Sequence, residues 1–145
     1  MADKVNGHIP QPETVAVSDL KPHPKNYRSH PESQIEHLMK SIEEHGLYRY
    51  IVVAKDLTIL AGHGVVKAVT QLGIPEVKLI RLDIDADDQS ALKILAGDNE
   101  ISRLAEVDDR SLTTLLKGIG DVGDLLGTGF DSKMLAALVM VTRPA

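Results

Sequence analysis

At 145 residues the chain is long enough for one domain, with or without a helical extension, and long enough to bury a real core. Its 43% hydrophobic and 26% charged residues are ordinary for a globular protein, and a net charge of −5 argues against a coat for duplex DNA, because neutralising phosphates needs a basic face. The lack of cysteine removes disulfides, thiolate catalysis and cysteine-ligated zinc, while three Tyr, one Phe and no Trp leave the core to aliphatic residues and leave few base-stacking platforms.

The first residues carry no apolar h-region and no apolar run approaches membrane-spanning length, so a cytoplasmic chain without a secretory signal is expected. Residues 1–14 are polar, contain Pro10 and Pro12, and read as a flexible leader. Val15-Ala16-Val17 reads as a first strand. Lys21 to Arg28 is held extended by Pro22 and Pro24. A helix is predicted from Ser33, with Ile35, Leu38, Met39 and Ile42 on one stripe and Gly46 as its C-cap.

Ile51–Val53 and Leu57–Ala61 read as strands joined at Lys55-Asp56. A glycine turn then opens a helix that ends at Gly73 and Pro75, and Val77–Leu82 is a fourth strand. Beyond Asp83 the pattern becomes helical: 87–95, an interruption at Gly97-Asp98-Asn99, 100–105, then 110–117. A glycine-punctuated connection from Gly118 to Gly129 leads to a last helix over 132–140, N-capped by Asp131. The fold class is therefore α/β, of mixed α+β type, with a small β-α-β-β-α-β sheet over 15–83 and a helical C-terminal subdomain over 84–141.

Several residues are candidates for chemistry. Gly62, His63 and Gly64 turn a strand directly into a helix and so offer free N–H groups to an anion, with His63 as ligand or proton carrier; the alternative is a tight turn that His63 caps. Lys67, one turn on, reads first as a solvated residue. Asp98 falls on the stripe of Ala91, Ile94, Leu95, Ile101 and Ala105, where an ionised carboxylate is costly unless paired or metal-bound. Two readings stay open: Asp98 and Asn99 line a nucleotide or Mg²⁺ pocket, or Asp98 caps a helix that restarts after Gly97. Tyr48-Arg49-Tyr50 is an aromatic-basic cluster suited to a base, a phosphate or a protein partner, or a half-buried lead into the next strand. His8, His23, His30, His37 and His45 show no zinc-ligand spacing, and no metal or catalytic residue is assigned.

Taken in order, these stretches resemble the ParB/sulfiredoxin superfamily, most closely the ParB-like domains of phages and of some DNA-modification methyltransferases. The resemblance rests on Val15 to Asn26, Ile35–Gly46 with Leu47–Val53, and Leu60-Ala61-Gly62-His63-Gly64. It continues through Leu72 to Val77, Asp98-Asn99 and Gly127-Thr128-Gly129-Phe130-Asp131. It implies a turn that cradles a triphosphate with help from the acidic-Asn pair, in a family that also includes kinases, sulfinic-acid reductases and members described as nucleases. A sulfiredoxin activity is excluded by the missing cysteine. The signature's arginines are replaced by Gly64 and Val65, and the usual Gln-Pro by Arg49-Tyr50. Kinase-like relatives use an acidic residue near Glu43 and Glu44, which here read as a solvated face.

The expected function is thus a ParB-like adaptor, encoded by a phage or mobile element, without catalysis or with a degenerate site, acting with a protein partner in a DNA transaction complex. Direct DNA binding is expected to be weak, membrane association absent, and the apolar face of Met134, Leu135, Leu138, Val139 and Val141 a surface for homodimerisation or partner contact. The alternative is a Mg²⁺-dependent nucleotide enzyme, CTPase-like, kinase-like or a nuclease, using His63, Asp98 and Asn99. No cofactor is assigned, a nucleoside triphosphate with Mg²⁺ being disfavoured by the turn without arginines. The chain stops just beyond a helix, at Arg143-Pro144-Ala145, and a downstream domain is an open expectation.

Overall fold

The computed structural model describes residues 10–120 and 123–144. Most of the expected leader lies outside the described residues, and its last two positions, Glu13 and Thr14, already belong to the first strand. Four strands form one sheet: β1 (Glu13–Ala16), β2 (Ile51–Val53), β3 (Ile59–Ala61) and β4 (Glu76–Arg81), in the spatial order β1-β4-β2-β3. β1 runs antiparallel to β4 with Val15 opposite Val77, β4 runs parallel to β2 with Leu79 opposite Ile51, and β3 returns antiparallel to β2 across an irregularity at Val52 and Val53.

Strand alternation divides the apolar side chains between two faces. Val15, Ile51, Val53, Ile59, Val77 and Leu79 meet Val65 and Val69 of α2 (His63–Gln71) in the main core. Leu38 and Ile42 of α1 (Glu32–His45) pack against the same core. Leu60 points the other way and meets Ala54 and Ala91, the latter on α3 (Gln89–Arg103). Gly46, at φ 76°, ends α1 and donates its N–H to the Ile42 carbonyl, as its C-cap role requires.

Several expectations need correction, the first being that Val17 leaves β1 for a 3-10 turn over Val17–Asp19 and that β4 ends before Leu82. Leu57 is not in β3: it takes φ 72° in the hairpin, where Asp56 Oδ1 accepts the Thr58 N–H and Leu57 N–H donates to the Ala54 carbonyl, so the strand starts at Ile59. α3 runs without a break through Gly97, Asp98 and Asn99. Asp88 caps its start by accepting from Ser90 N, and Tyr27 and Arg28 bond to Ala96 and Glu100 further along, which outweighs the ~1 kcal/mol cost of one helical glycine. The apolar stripe stops at Leu95, since Ile101 is exposed. Finally, α4 (Asp109–Gly120) extends three residues past its expected end. α5 (Ser132–Val141) follows, with Asp131 Oδ1 accepting from Met134 N as predicted.

Candidate functional site

β3 delivers the chain into α2 through Gly62, which sits in the left-handed region at φ 100°. A Cβ there would lie 3.3 Å from Ile51 Cγ1, so both the backbone angle and the close approach to β2 call for glycine. No side chain caps the helix, and the N–H groups of its first turn open onto a cleft of about 180 Å³. The floor is Leu60, Ala61, Gly62, His63, Gly64 and Val65.

The other walls come from α1, which contributes Gln34 and Leu38, and from three further segments. The proline-bearing loop contributes Asn26, Arg28 and His30; the lead into β2 contributes Arg49 and Tyr50; α3 contributes Leu95, Asp98 and Asn99. Two arginines therefore line the cleft although the turn itself carries none. Arg28 Nη2 is 2.6 Å from Glu100 Oε1, and its Cζ lies 5.2 Å from the Tyr27 ring centroid. Arg49 Cζ lies 5.7 Å from the Tyr48 ring centroid.

His63 neither caps the helix nor carries charge near neutral pH. Its Nε2 accepts the backbone N–H of His23 at 3.1 Å, tying the loop to the turn across 40 positions. Burial first, then the neighbouring His30 and His23, push its pKa down to about 4. His23, itself buried, bonds through Nε2 to the Ala86 carbonyl and through Nδ1 to Lys25 N–H. These bonds make His63 a neutral fastener and weaken the proton-carrier reading.

Gly64 has a different task. A Cβ at this position would come within 3.0 Å of His30 Nδ1 and 3.3 Å of Leu38 Cδ1, so the imidazole of His30 rests where a side chain at position 64 would begin. His30 Nδ1 bonds Gln34 Oε1 at 2.8 Å, while its buried Nε2 has no protein partner among the described residues.

Of the residues singled out in the sequence, Gly62, His63, Gly64, Asp98 and Asn99 share this cleft, and Arg49 and Tyr50 join them. Lys67 does not: it is exposed and its Nζ lies 3.5 Å from the His30 carbonyl. Tyr48 stands outside the cleft beside His45, with ring centroids 6.4 Å apart. Tyr48, Arg49 and Tyr50 are all exposed, which corrects the half-buried lead-in. Glu43 and Glu44 are exposed, and Glu44 pairs with Lys40 at 3.6 Å, as a solvated face would. Asp98 is exposed at the rim, so its carboxylate stays hydrated and caps nothing. Arg28, His30 and Asn26 were missed as site residues because a loop carries no periodicity to point at its target. Among the described residues no group of three or more His, Asp or Glu is arranged for a metal ion, and no helix is long and apolar enough to cross a membrane.

The profile of the family described as the ParB N-terminal domain matches residues 2–100. The ParB-like nuclease domain-containing protein YnaK of Escherichia coli (strain K12) is 32% identical over 73 residues, which make up 50% of this chain and 84% of YnaK. The chain belongs to the ParB N-terminal domain family. Its fold is similar to that of the C-terminally truncated chromosome-partitioning protein ParB from Caulobacter crescentus, solved in complex with CTP-gamma-S, with a TM-score of 0.68 and 19% identity over 92% of this chain and 80% of that one. A Pnob8-like ParB-N domain gives a TM-score of 0.55 and 22% identity over 77% of this chain, which spans only 44% of that protein. At such identities the likeness is one of fold.

Proposed function

We propose that this ParB-like chain is a nucleotide-binding module, whose cleft takes the phosphates of a nucleoside triphosphate and which serves a DNA-associated protein assembly. The observation that carries this reading is that Arg28 and Arg49, from two separate loops, open onto the same cleft as the uncapped N-terminus of α2. A polyphosphate needs convergent positive charge. Guanidinium groups supply it as charge-assisted, often bidentate hydrogen bonds, and a helix N-terminus adds unpaired N–H groups and its dipole. The loss of arginine from the turn is thus offset by arginines from elsewhere. The ParB of Caulobacter crescentus, which shares the fold, was solved with a cytidine triphosphate analogue, and that makes CTP the first ligand to try.

Asp98 and Asn99 at the rim fit a Mg²⁺ ion that arrives on the phosphates, because such an ion takes one or two protein carboxylates and fills its remaining positions with phosphate oxygens and water. The ion would neutralise phosphate charge. His63 would hold the loop of Arg28 and His30 against the turn, with its Nε2 already committed to His23.

The test is a thermal shift with CTP, ATP and GTP, each with and without Mg²⁺, on the parent and on Arg28→Ala and Arg49→Ala. A ligand present at 100 times its Kd stabilises the fold by ~2.7 kcal/mol. Each arginine variant should lose ~1.5–3 kcal/mol of binding, the worth of a charge-assisted bond, with the unliganded melting temperature unchanged in Arg49→Ala and lowered in Arg28→Ala, which also gives up the bond to Glu100. No shift with any nucleotide at millimolar concentration would refute the proposal.

A further inference from the structure

None of the four aromatic residues of this chain is buried: Phe130 is half-buried and the other three are exposed. Tyr27, Tyr48 and Tyr50 are 58%, 61% and 58% exposed, although an aromatic ring is among the largest apolar surfaces a protein has to bury. They stand in the two segments that send Arg28 and Arg49 into the cleft, and two of them carry those guanidinium groups on their rings. Two of the rings have a partner: the Tyr27 hydroxyl donates to the Ala96 carbonyl at 3.0 Å, and His45 meets Tyr48 edge-on.

We infer that the cleft lined by Arg28, Arg49 and Tyr50, together with the Tyr27 and Tyr48 rings that lie beside those two guanidinium groups, is a docking surface for single-stranded nucleic acid. Its terminal phosphate enters the cleft and its following bases stack on the exposed rings. The inference rests on the reading of the cleft as a phosphate site and extends it from a mononucleotide to a strand. One nucleotide offers one base, whereas three exposed rings offer more stacking area than one base can cover. Fixed aromatic faces alternating with guanidinium groups are the chemistry that holds unpaired bases and their backbone, with cation–π contacts adding to it. A duplex is disfavoured: its bases are already stacked, and its second strand would meet Asp98 and Glu100 on the α3 side of the cleft, in a protein of net charge −5.

The test uses fluorescence anisotropy with short oligo(dT) and oligo(U) strands, labelled at the 3′ end, with and without a 5′-phosphate, beside a duplex of the same length. The parent chain should bind both single strands at low salt, more tightly when 5′-phosphorylated, and the duplex weakly. Tyr27→Leu combined with Tyr48→Leu should weaken strand binding by about tenfold or more, the loss of a stacked base or two, while Tyr27→Phe with Tyr48→Phe keeps it. Equal binding by the Leu and Tyr forms, or duplex binding as tight as single-strand binding, would overturn the inference. So would an absence of strand binding while the nucleotide thermal shift persists, and that result would leave the phosphate cleft standing. Loss of both signals would sink the cleft reading itself. Absence of strand binding with tyrosine-dependent self-association in sedimentation would instead assign the surface to a second copy of the chain.

Discussion

The sheet with its three covering helices and the pair α4–α5 are stabilised in different ways. Around the sheet, Ile35, Ile51, Val53, Leu60, Val69 and Leu79 are almost wholly removed from water. In α5, by contrast, no residue is buried although most of its ten residues are apolar, and Met140 and Val141 stand 63% and 71% exposed. Among the described residues, Thr113 and Leu116 of α4 and Leu125 beyond it are the buried residues of that half. Polar pins do much of the remaining work: Asp131 caps α5, and His37 Nδ1 on α1 accepts the N–H groups of both Gly127 and Gly129 at 2.9 Å. Burial, at ~25 cal/mol per Å² of apolar surface, makes a rigid frame on which the cleft is built, whereas an element held by a few directional bonds opens locally at lower cost.

The sharpest way to break this contrast is to truncate one residue of each kind. Leu79→Ala, at the centre of the sheet with no exposure, should cost ~2–5 kcal/mol in urea unfolding, while Met140→Ala should stay within ~0.5 kcal/mol. Equal losses would show that α5 is as firmly packed as the sheet. His37→Ala removes the acceptor shared by two backbone donors and should cost ~1–3 kcal/mol. Hydrogen exchange should find the loss concentrated in 123–141, with the amides of β2 and β4 unchanged; a uniform loss would contradict the division.

A smaller effect separates two glycines. Gly62→Ala should cost more than the ~1–2 kcal/mol of a left-handed residue, because its methyl group also meets Ile51, whereas Gly46→Ala, at φ 76° and ψ 179° with nothing within 4 Å, should cost ~1–3 kcal/mol from the backbone alone. Thermal unfolding of the two variants side by side decides it. The last effect is a pH dependence. His63 keeps its proton off until about pH 4, below its ordinary 6.5. Between those values the unfolded chain binds a proton that the folded chain refuses, so stability is complete above about 6.5 and is lost as the pH falls towards 4. Unfolding midpoints of His63→Asn should slope less over that interval than those of the parent.

Much of the fold was legible because local rules and tertiary contacts agree. Gly46 and Asp131 cap as their positions require, and β2 spans the very residues whose β-branched run announced it. Gly97 misled because a glycine in a helix weakens it without ending it when caps and long-range bonds hold the turns on either side. The cleft was legible on its floor and at its α3 rim. Its cationic wall was not, because Arg28 belongs to a proline-bearing loop more than thirty positions from the glycine turn, and no spacing along the chain records where such a loop folds back. Arg49 was noticed as part of a cluster, but nothing local tied it to the turn at Gly62.

The contact of His30 with Gly64 binds the histories of two distant sites. With an imidazole ring 3.0 Å from where a side chain at 64 would start, any residue larger than glycine there makes His30 or Leu38 give way, so the position of the loop and the identity of residue 64 are set together.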